Sequence, residues 1–207
     1  MTTDPFLIYD CEIVKCIPDR KRFNDPTYQY CKGWGDFEGM GISVIGFSHE
    51  DHTNYLIADP SIDGDFEMLQ DFAALASHHI IVGFNSRNFD DRLLAANGVN
   101  VATDYDLLEE VRIAAGYSAD YRSVPAGHSY SLDAISRANG AAKTGHGALA
   151  PQLWQDGKHK EVIDYCLNDV VLTLKILQMG LEGQLVDPNT GKKLTLRPVS
   201  KIDSQRS

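Results

Sequence analysis

The hydrophobic pattern along this chain switches repeatedly between two periods, and the switches divide it into strands and helices. Residues 6–13 (FLIYDCEI) run apolar from Phe6 to Tyr9 and then place two acids, Asp10 and Glu12, one residue apart. The run is too short for a helix and predicts a buried central strand. Residues 42–47 (ISVIGF) and 53–58 (TNYLIA) predict a hairpin turning near His49, Glu50 and Asp51. From 66 to 76 apolar residues recur at helical spacing (Phe66, Leu69, Phe72, Ala73, Ala76), which predicts an amphipathic helix. Residues 80–84 (IIVGF) give another buried strand, then Asn85-Ser86-Arg87-Asn88, then a helix over 89–97 stopped by Gly98.

The second half reads as a short strand or loop at 101–105, a helix over 106–115 and a loop over 116–130. Ser131 suits the N-cap of a helix over 131–139 that Gly140 ends, and 141–150 reads as loop. The strongest helix pattern, 159–179, carries Val162, Ile163, Cys166, Val170, Leu174 and Leu177 on a stripe suited to lying on a sheet. Three strands followed by strands alternating with helices predict an α/β domain whose mixed sheet is covered by helices. The expected division is one domain over 1–183, with an insertion at 15–41, and a C-terminal hairpin and tail over 184–207. That tail, with Lys192, Lys193, Arg197, Lys201 and Arg206, is basic in an acidic protein. A solvated end is its plain reading, and contact with a phosphate backbone the sharper one.

Composition narrows the class. At 207 residues, with 43% hydrophobic and 23% charged residues, the chain suits one ordinary domain with a substantial core. No apolar run is long enough to span a membrane and nothing resembles a signal peptide, so a cytoplasmic, intracellular protein is the default expectation. Cys11, Cys16, Cys31 and Cys166 show no C-x-x-C spacing, which argues against zinc. The net charge of −10 argues against a tight, nonspecific binder of duplex DNA. The insertion mixes cations (Lys15, Arg20, Lys21, Arg22, Lys32) with aromatics (Phe23, Tyr28, Tyr30, Trp34, Phe37). Such a mixture suits either a loop packed down by its own rings or a grip on single-stranded nucleic acid.

The candidate chemistry lies in the acids. On a strand, Asp10 and Glu12 share one face and Cys11 takes the other. Two carboxylates together at the end of a buried strand repel each other and need a cation, unless the strand simply exits into solvent. A divalent metal with oxygen ligands is the natural partner. Asp90 opens the helix after IIVGF, at the carboxyl end of a strand, where α/β sheets collect their sites. It is also where a helix dipole favours any acid. Asp91 beside it must point elsewhere. Tyr165 and Asp169, four apart, share the inward face of the last helix, where a buried Asp needs a partner, be it a cation, a tyrosine hydroxyl or a backbone amide.

YDCEI, GFNSRNFDD and DYCLNDVVLT together resemble, in order, the three motifs of DnaQ-like 3′–5′ exonucleases: D-x-E, N-x-x-x-F-D and Y-x-x-x-D. They are most similar to the proofreading domains of family B DNA polymerases and their stand-alone relatives, over residues 5–180. The resemblance implies an RNase H-like fold with a mixed five-stranded sheet flanked by helices. It implies that Asp10, Glu12, Asp90 and Asp169 hold two divalent ions, Mg²⁺ or Mn²⁺, and that Tyr165 orients the attacking water. The tyrosine marks the DEDDy subclass; the histidine subclass would place His where Asp164 stands. Substrate contacts implied alongside are Ile13 as a wedge against the terminal base, Asn85 and Phe89 in the strand channel, and Lys143 near the scissile phosphate. The Lys143 match is partial, since His146 replaces the expected hydrophobic residue, and an ordinary surface lysine is the plain alternative.

The implied function is hydrolysis of single-stranded DNA from its 3′ end to mononucleotides. The short remainder after the last helix suggests that a proofreading role would need a separate polymerase. Rival readings are an exoribonuclease of the same family, a catalytically silent nucleic-acid-binding or polymerase-docking module, and an RNase H-like integrase or resolvase, which has no use for Y-x-x-x-D.

Overall fold

A computed structural model describes residues 5–19, 21, 23–49, 52–62, 64, 66–141 and 147–200. The expected features at Glu50, Asp51, Arg20, Arg22, Lys143, His146, Lys201 and Arg206 lie outside the described residues.

β1 (Phe6–Ile13) is the centre of a five-stranded sheet. It pairs antiparallel with β2 (Ile42–His49), which pairs antiparallel with the edge strand β3 (His52–Ile57). On its other side it runs parallel to β4 (Ile80–Gly83), and β4 parallel to the short β5 (Tyr105–Asp106). The order β3-β2-β1-β4-β5 in a mixed sheet flanked by helices is the RNase H-like α/β architecture that the resemblance implied.

The period-2 alternation of β1 divides the core. Leu7, Tyr9, Cys11 and Ile13 join one apolar cluster with α1 (Phe37–Met40), α2 (Phe66–Ser77) and α3 (Asp90–Ala96). Ile8 joins a second cluster on the opposite face, with α4 (Leu107–Ala114), α5 (Leu132–Ala138) and α7 (His159–Leu181). Ser131 caps α5 as expected, accepting from Ala134 N at 3.2 Å. Asp106 caps α4 by accepting from Leu108 N at 3.1 Å.

Two short helices were not legible in the sequence. α1 forms inside the insertion because Asp36 accepts from the Gly39 and Lys32 amides. α6 (Ala150–Gln155) forms in a stretch too short to show a period and carries Pro in its first turn. Its Gln155 stitches the insertion to the end of β1: Nε2 donates to Val14 O at 3.0 Å and to Gln29 O at 3.2 Å, and Oε1 accepts from Gln29 N at 2.7 Å. The insertion is therefore held at both its root and its middle.

β6 (Leu185–Val186) and β7 (Lys193–Leu194) form the expected C-terminal hairpin. Leu185, Leu194 and Leu196 are buried in the second cluster, and Arg197 pairs with Glu110 of α4, Nε to Oε2 at 2.8 Å. Among the described residues no helix is long and apolar enough to cross a membrane.

Candidate active site

One broad cleft, of about 2020 Å³, opens at the end of β1 and receives Asp10, Glu12, Asp90, Tyr165 and Asp169 together. Its volume is well beyond the roughly 300–1,000 Å³ of a small-molecule pocket. The acids arrive from three elements that the sequence separates widely. β1 delivers Asp10 and Glu12 by simple alternation, opposite Gly46 and Val44 of β2. α3 delivers Asp90 from its first turn, and the Cys11 amide donates to Asp90 Oδ1 at 3.2 Å, fixing this helix start against the central strand.

α7 delivers Tyr165 and Asp169 from one face, one turn apart, and a close approach of helix to sheet sets their depth. A Cβ at Gly46 would lie 2.9 Å from Cys166 Sγ and 3.4 Å from Leu167 and Val170. A side chain there would push Cys166 aside, so glycine lets α7 lie close over the strand beside Asp10. Cys166 completes the contact, its thiol donating to Asp10 O at 3.5 Å.

The adjacent acids of α3 divide as helix geometry requires. Asp90 turns into the cleft. Asp91 accepts from the Tyr9 hydroxyl, from Thr103 N at 2.9 Å and from Thr103 Oγ1 at 2.7 Å. Asp91 thus ties α3 to β1 and to the segment that leads into β5, next to Asp90.

Electrostatics mark the cluster as one unit. Burial, followed by the charge of Asp10, pushes the Asp90 carboxyl well above the usual carboxylate range, against the pull of the Cys11 amide. Burial, followed by the charges of Asp169, Glu12 and Asp10, pushes the Tyr165 phenol up, with a hydrogen bond to Asp169 adding to the effect. Tyr165 is therefore a proton donor at any working pH. Burial likewise raises the thiols of Cys11 and Cys166.

Ligand-capable atoms of Asp10, Glu12 and Cys166 lie within 4.8 Å of one another. The fully buried, neutral Cys166 thiol does not line the cleft, so the donors facing it are carboxylate oxygens. Hard oxygen donors, with the Asp90 carboxyl pushed up by burial and by its neighbour Asp10, suit a hard divalent cation.

Of the lesser sequence candidates, Ile13, Asn85 and Phe89 line the same cleft, and Lys143 lies outside the described residues. Ile13 lines the cleft but is only 7% exposed, packed in the first cluster. Asn85 lines it with a left-handed backbone (φ 64°), its amide donating to Asp106 Oδ1 at 3.0 Å. Phe89 lines it too, edge-on to Phe37 at 5.8 Å and to Trp34 at 6.4 Å. Sequence reasoning missed Gly46, whose role depends on what crosses above it. It also missed Gly147, in a 3₁₀ turn (Gly147–Leu149), where a Cβ would lie 3.0 Å from the Tyr165 hydroxyl. The 116–130 loop, read only as a connection, supplies much of one cleft wall.

No protein-family model and no curated protein matches this sequence. A solved structure shares its fold. The family B DNA polymerase from the hyperthermophilic archaeon Pyrobaculum calidifontis superposes with a TM-score of 0.58 at 17% sequence identity, over 91% of this chain and 26% of the polymerase. This chain thus spans about a quarter of that polymerase's length, and at such identity the likeness is one of fold.

Proposed function

We propose that this chain is a metal-dependent 3′–5′ exonuclease of the DEDDy type that shortens single-stranded DNA and releases nucleoside monophosphates. The observation that carries the reading is the convergence of four carboxylates and a tyrosine, from β1, α3 and α7, in one cleft of polymer size. A family B polymerase sharing the fold supports it, and a polymerase is the natural partner for a proofreading role.

In this reading Asp10, Glu12, Asp90 and Asp169 hold two Mg²⁺ or Mn²⁺ ions. These supply Lewis-acid stabilisation of charge on the attacking and leaving oxygens. The chain's own residues do the rest. Tyr165, kept protonated by burial and by the acids around it, orients the attacking water through its hydroxyl. Asp169 holds that hydroxyl through their hydrogen bond. Ile13, Phe89 and Asn85 border the path of the strand, with Lys143 assigned to the scissile phosphate. Without cations the acidic floor repels a phosphate backbone; with them it attracts one.

The test is digestion of a 5′-labelled single-stranded DNA oligomer in Mg²⁺, Mn²⁺ or EDTA, beside RNA of the same sequence. A metal-dependent ladder shortening from the 3′ end, faster on DNA, is expected. A faster RNA ladder would reassign the substrate, and intact oligomers in all three conditions would overturn the enzymatic reading.

A further inference from the structure

The three large hydrophobic side chains most exposed among the described residues are Phe23 (85%), Trp34 (71%) and Tyr121 (65%); the next, Val171, stands at 48%. All three line the cleft that holds the acids. Single exposed apolar residues need no explanation, but the most exposed rings of a chain converging on one cleft do. Phe23 and Trp34 come from the insertion, and Tyr121 from a 3₁₀ turn (Tyr121–Ser123) in the 116–130 loop, so two unrelated segments contribute to one surface.

Two of the rings, Trp34 and Tyr121, have ring or cation contacts behind them. Trp34 stands edge-on to Phe89, Phe89 edge-on to Phe37, and the Arg92 guanidinium lies 4.4 Å over the Phe37 ring. Arg122 lies 5.7 Å over Tyr121. Cations line the same cleft, namely Lys21, Lys32 and Arg112, in a chain whose net charge is −10. Flat rings interleaved with cations, above an acidic floor suited to divalent ions, match bases joined by phosphates.

We infer that Phe23, Trp34 and Tyr121 form a stacking clamp for the bases of a single nucleic-acid strand entering the cleft. The inference deepens the exonuclease reading and rests on it for the direction of the strand, whose 3′ end lies at the acids. Every base has a stacking face, so the clamp is tolerant of sequence. Paired bases are already stacked, so a blunt duplex gains nothing from it.

The chain has two tryptophans, and Trp154 is 2% exposed with its indole N–H donating to Asp59 at 2.7 Å. Trp34 therefore reports on the cleft. The experiment titrates the full chain with a short oligodeoxythymidylate in Ca²⁺, reading tryptophan emission, with anisotropy of a labelled oligomer for affinity. Quenching is expected with the single strand and not with a blunt duplex. Trp34→Ala should abolish the quenching and weaken binding about tenfold or more, Trp34→Phe should keep most of the affinity, and Phe23→Ala and Tyr121→Ala should each weaken binding. Melting temperatures should not move, because all three rings are exposed. Binding without quenching, or wild-type affinity in all three Ala variants, would overturn the clamp while leaving any metal-dependent cleavage untouched. Quenching by the single strand with no cleavage in Mg²⁺ or Mn²⁺ would support the clamp and remove the exonuclease reading.

Discussion

At the scale of the residue, the hydroxyl of Tyr165 has its position set from two sides. It is held by Asp169 one turn on and approached by the backbone of Gly147. Tyr165→Phe should slow single-turnover hydrolysis about ten- to a hundredfold while leaving metal binding intact. Gly147→Ala puts a methyl group 3.0 Å from that hydroxyl and should slow the same step about tenfold. In a Tyr165→Phe background, with the crowded oxygen gone, the Gly147→Ala effect should vanish; an equal effect in both backgrounds would show that the glycine acts through the fold instead. Asp90 gives a prediction with a definite sign. Its folded-state pKa is raised, by burial first and Asp10 second, so the folded chain binds this proton more tightly than the unfolded chain. Its favourable contribution is present at acid pH and lost as pH rises through the raised value. Asp90→Asn, which keeps an acceptor for the Cys11 amide, should therefore raise the metal-free melting temperature at neutral pH. An increase of about 2–4 °C is expected for each kcal/mol relieved. The same variant should blunt the stabilisation by Mn²⁺, which in the wild type should be larger at pH 8 than at pH 5 because protons and metal compete for these oxygens. Equal metal-induced shifts at the two pH values would contradict the assignment of Asp90 as a ligand.

At the scale of the element, what matters is how three pieces of secondary structure are brought to register. Asp91 is the lock on α3, accepting from Tyr9 and from the amide and hydroxyl of Thr103. Asp91→Ala strands the buried Tyr9 hydroxyl and should cost about 2–3 kcal/mol, seen as a lower denaturant midpoint. It should also reduce activity at temperatures where the variant is folded, since the helix that carries Asp90 loses this tie. Full activity in a destabilised variant would separate the two roles. This scale is where the sequence was least informative. The alternation of β1, the stripe of α7 and the Ser131 cap are local signals, and each appears in the structure where it was expected. α1 is a single turn started by the local Asp36 cap on the Gly39 amide, and α6 is a short helix tied by Gln155 to the insertion, so no periodicity could announce either. Gly46 looked like one small residue in an apolar strand. Its meaning came only from Cys166 lying across it.

At the scale of the whole molecule, the clustered acids conflict with the stability of the metal-free chain, and the fold accepts that conflict at one place. Asp10, Glu12, Asp90 and Asp169 each stood out locally, each with a plain alternative, and it was the resemblance to three exonuclease motifs that grouped them; all four line one cleft. The wall of the cleft was not readable in this way. Phe23, Trp34 and Tyr121 belong to irregular segments, where exposure and direction are set by distant contacts rather than by period. In the proposed reading the acids form one metal-dependent hydrolytic centre. That reading is tested most directly by single-turnover digestion of a 5′-labelled single-stranded DNA oligomer in Mn²⁺ by the wild type, Asp10→Ala and Asp169→Ala. The account predicts 3′-end shortening by the wild type and a loss on the order of 10³-fold or more in each variant, with circular dichroism unchanged. Shortening at the wild-type rate by either variant would contradict it.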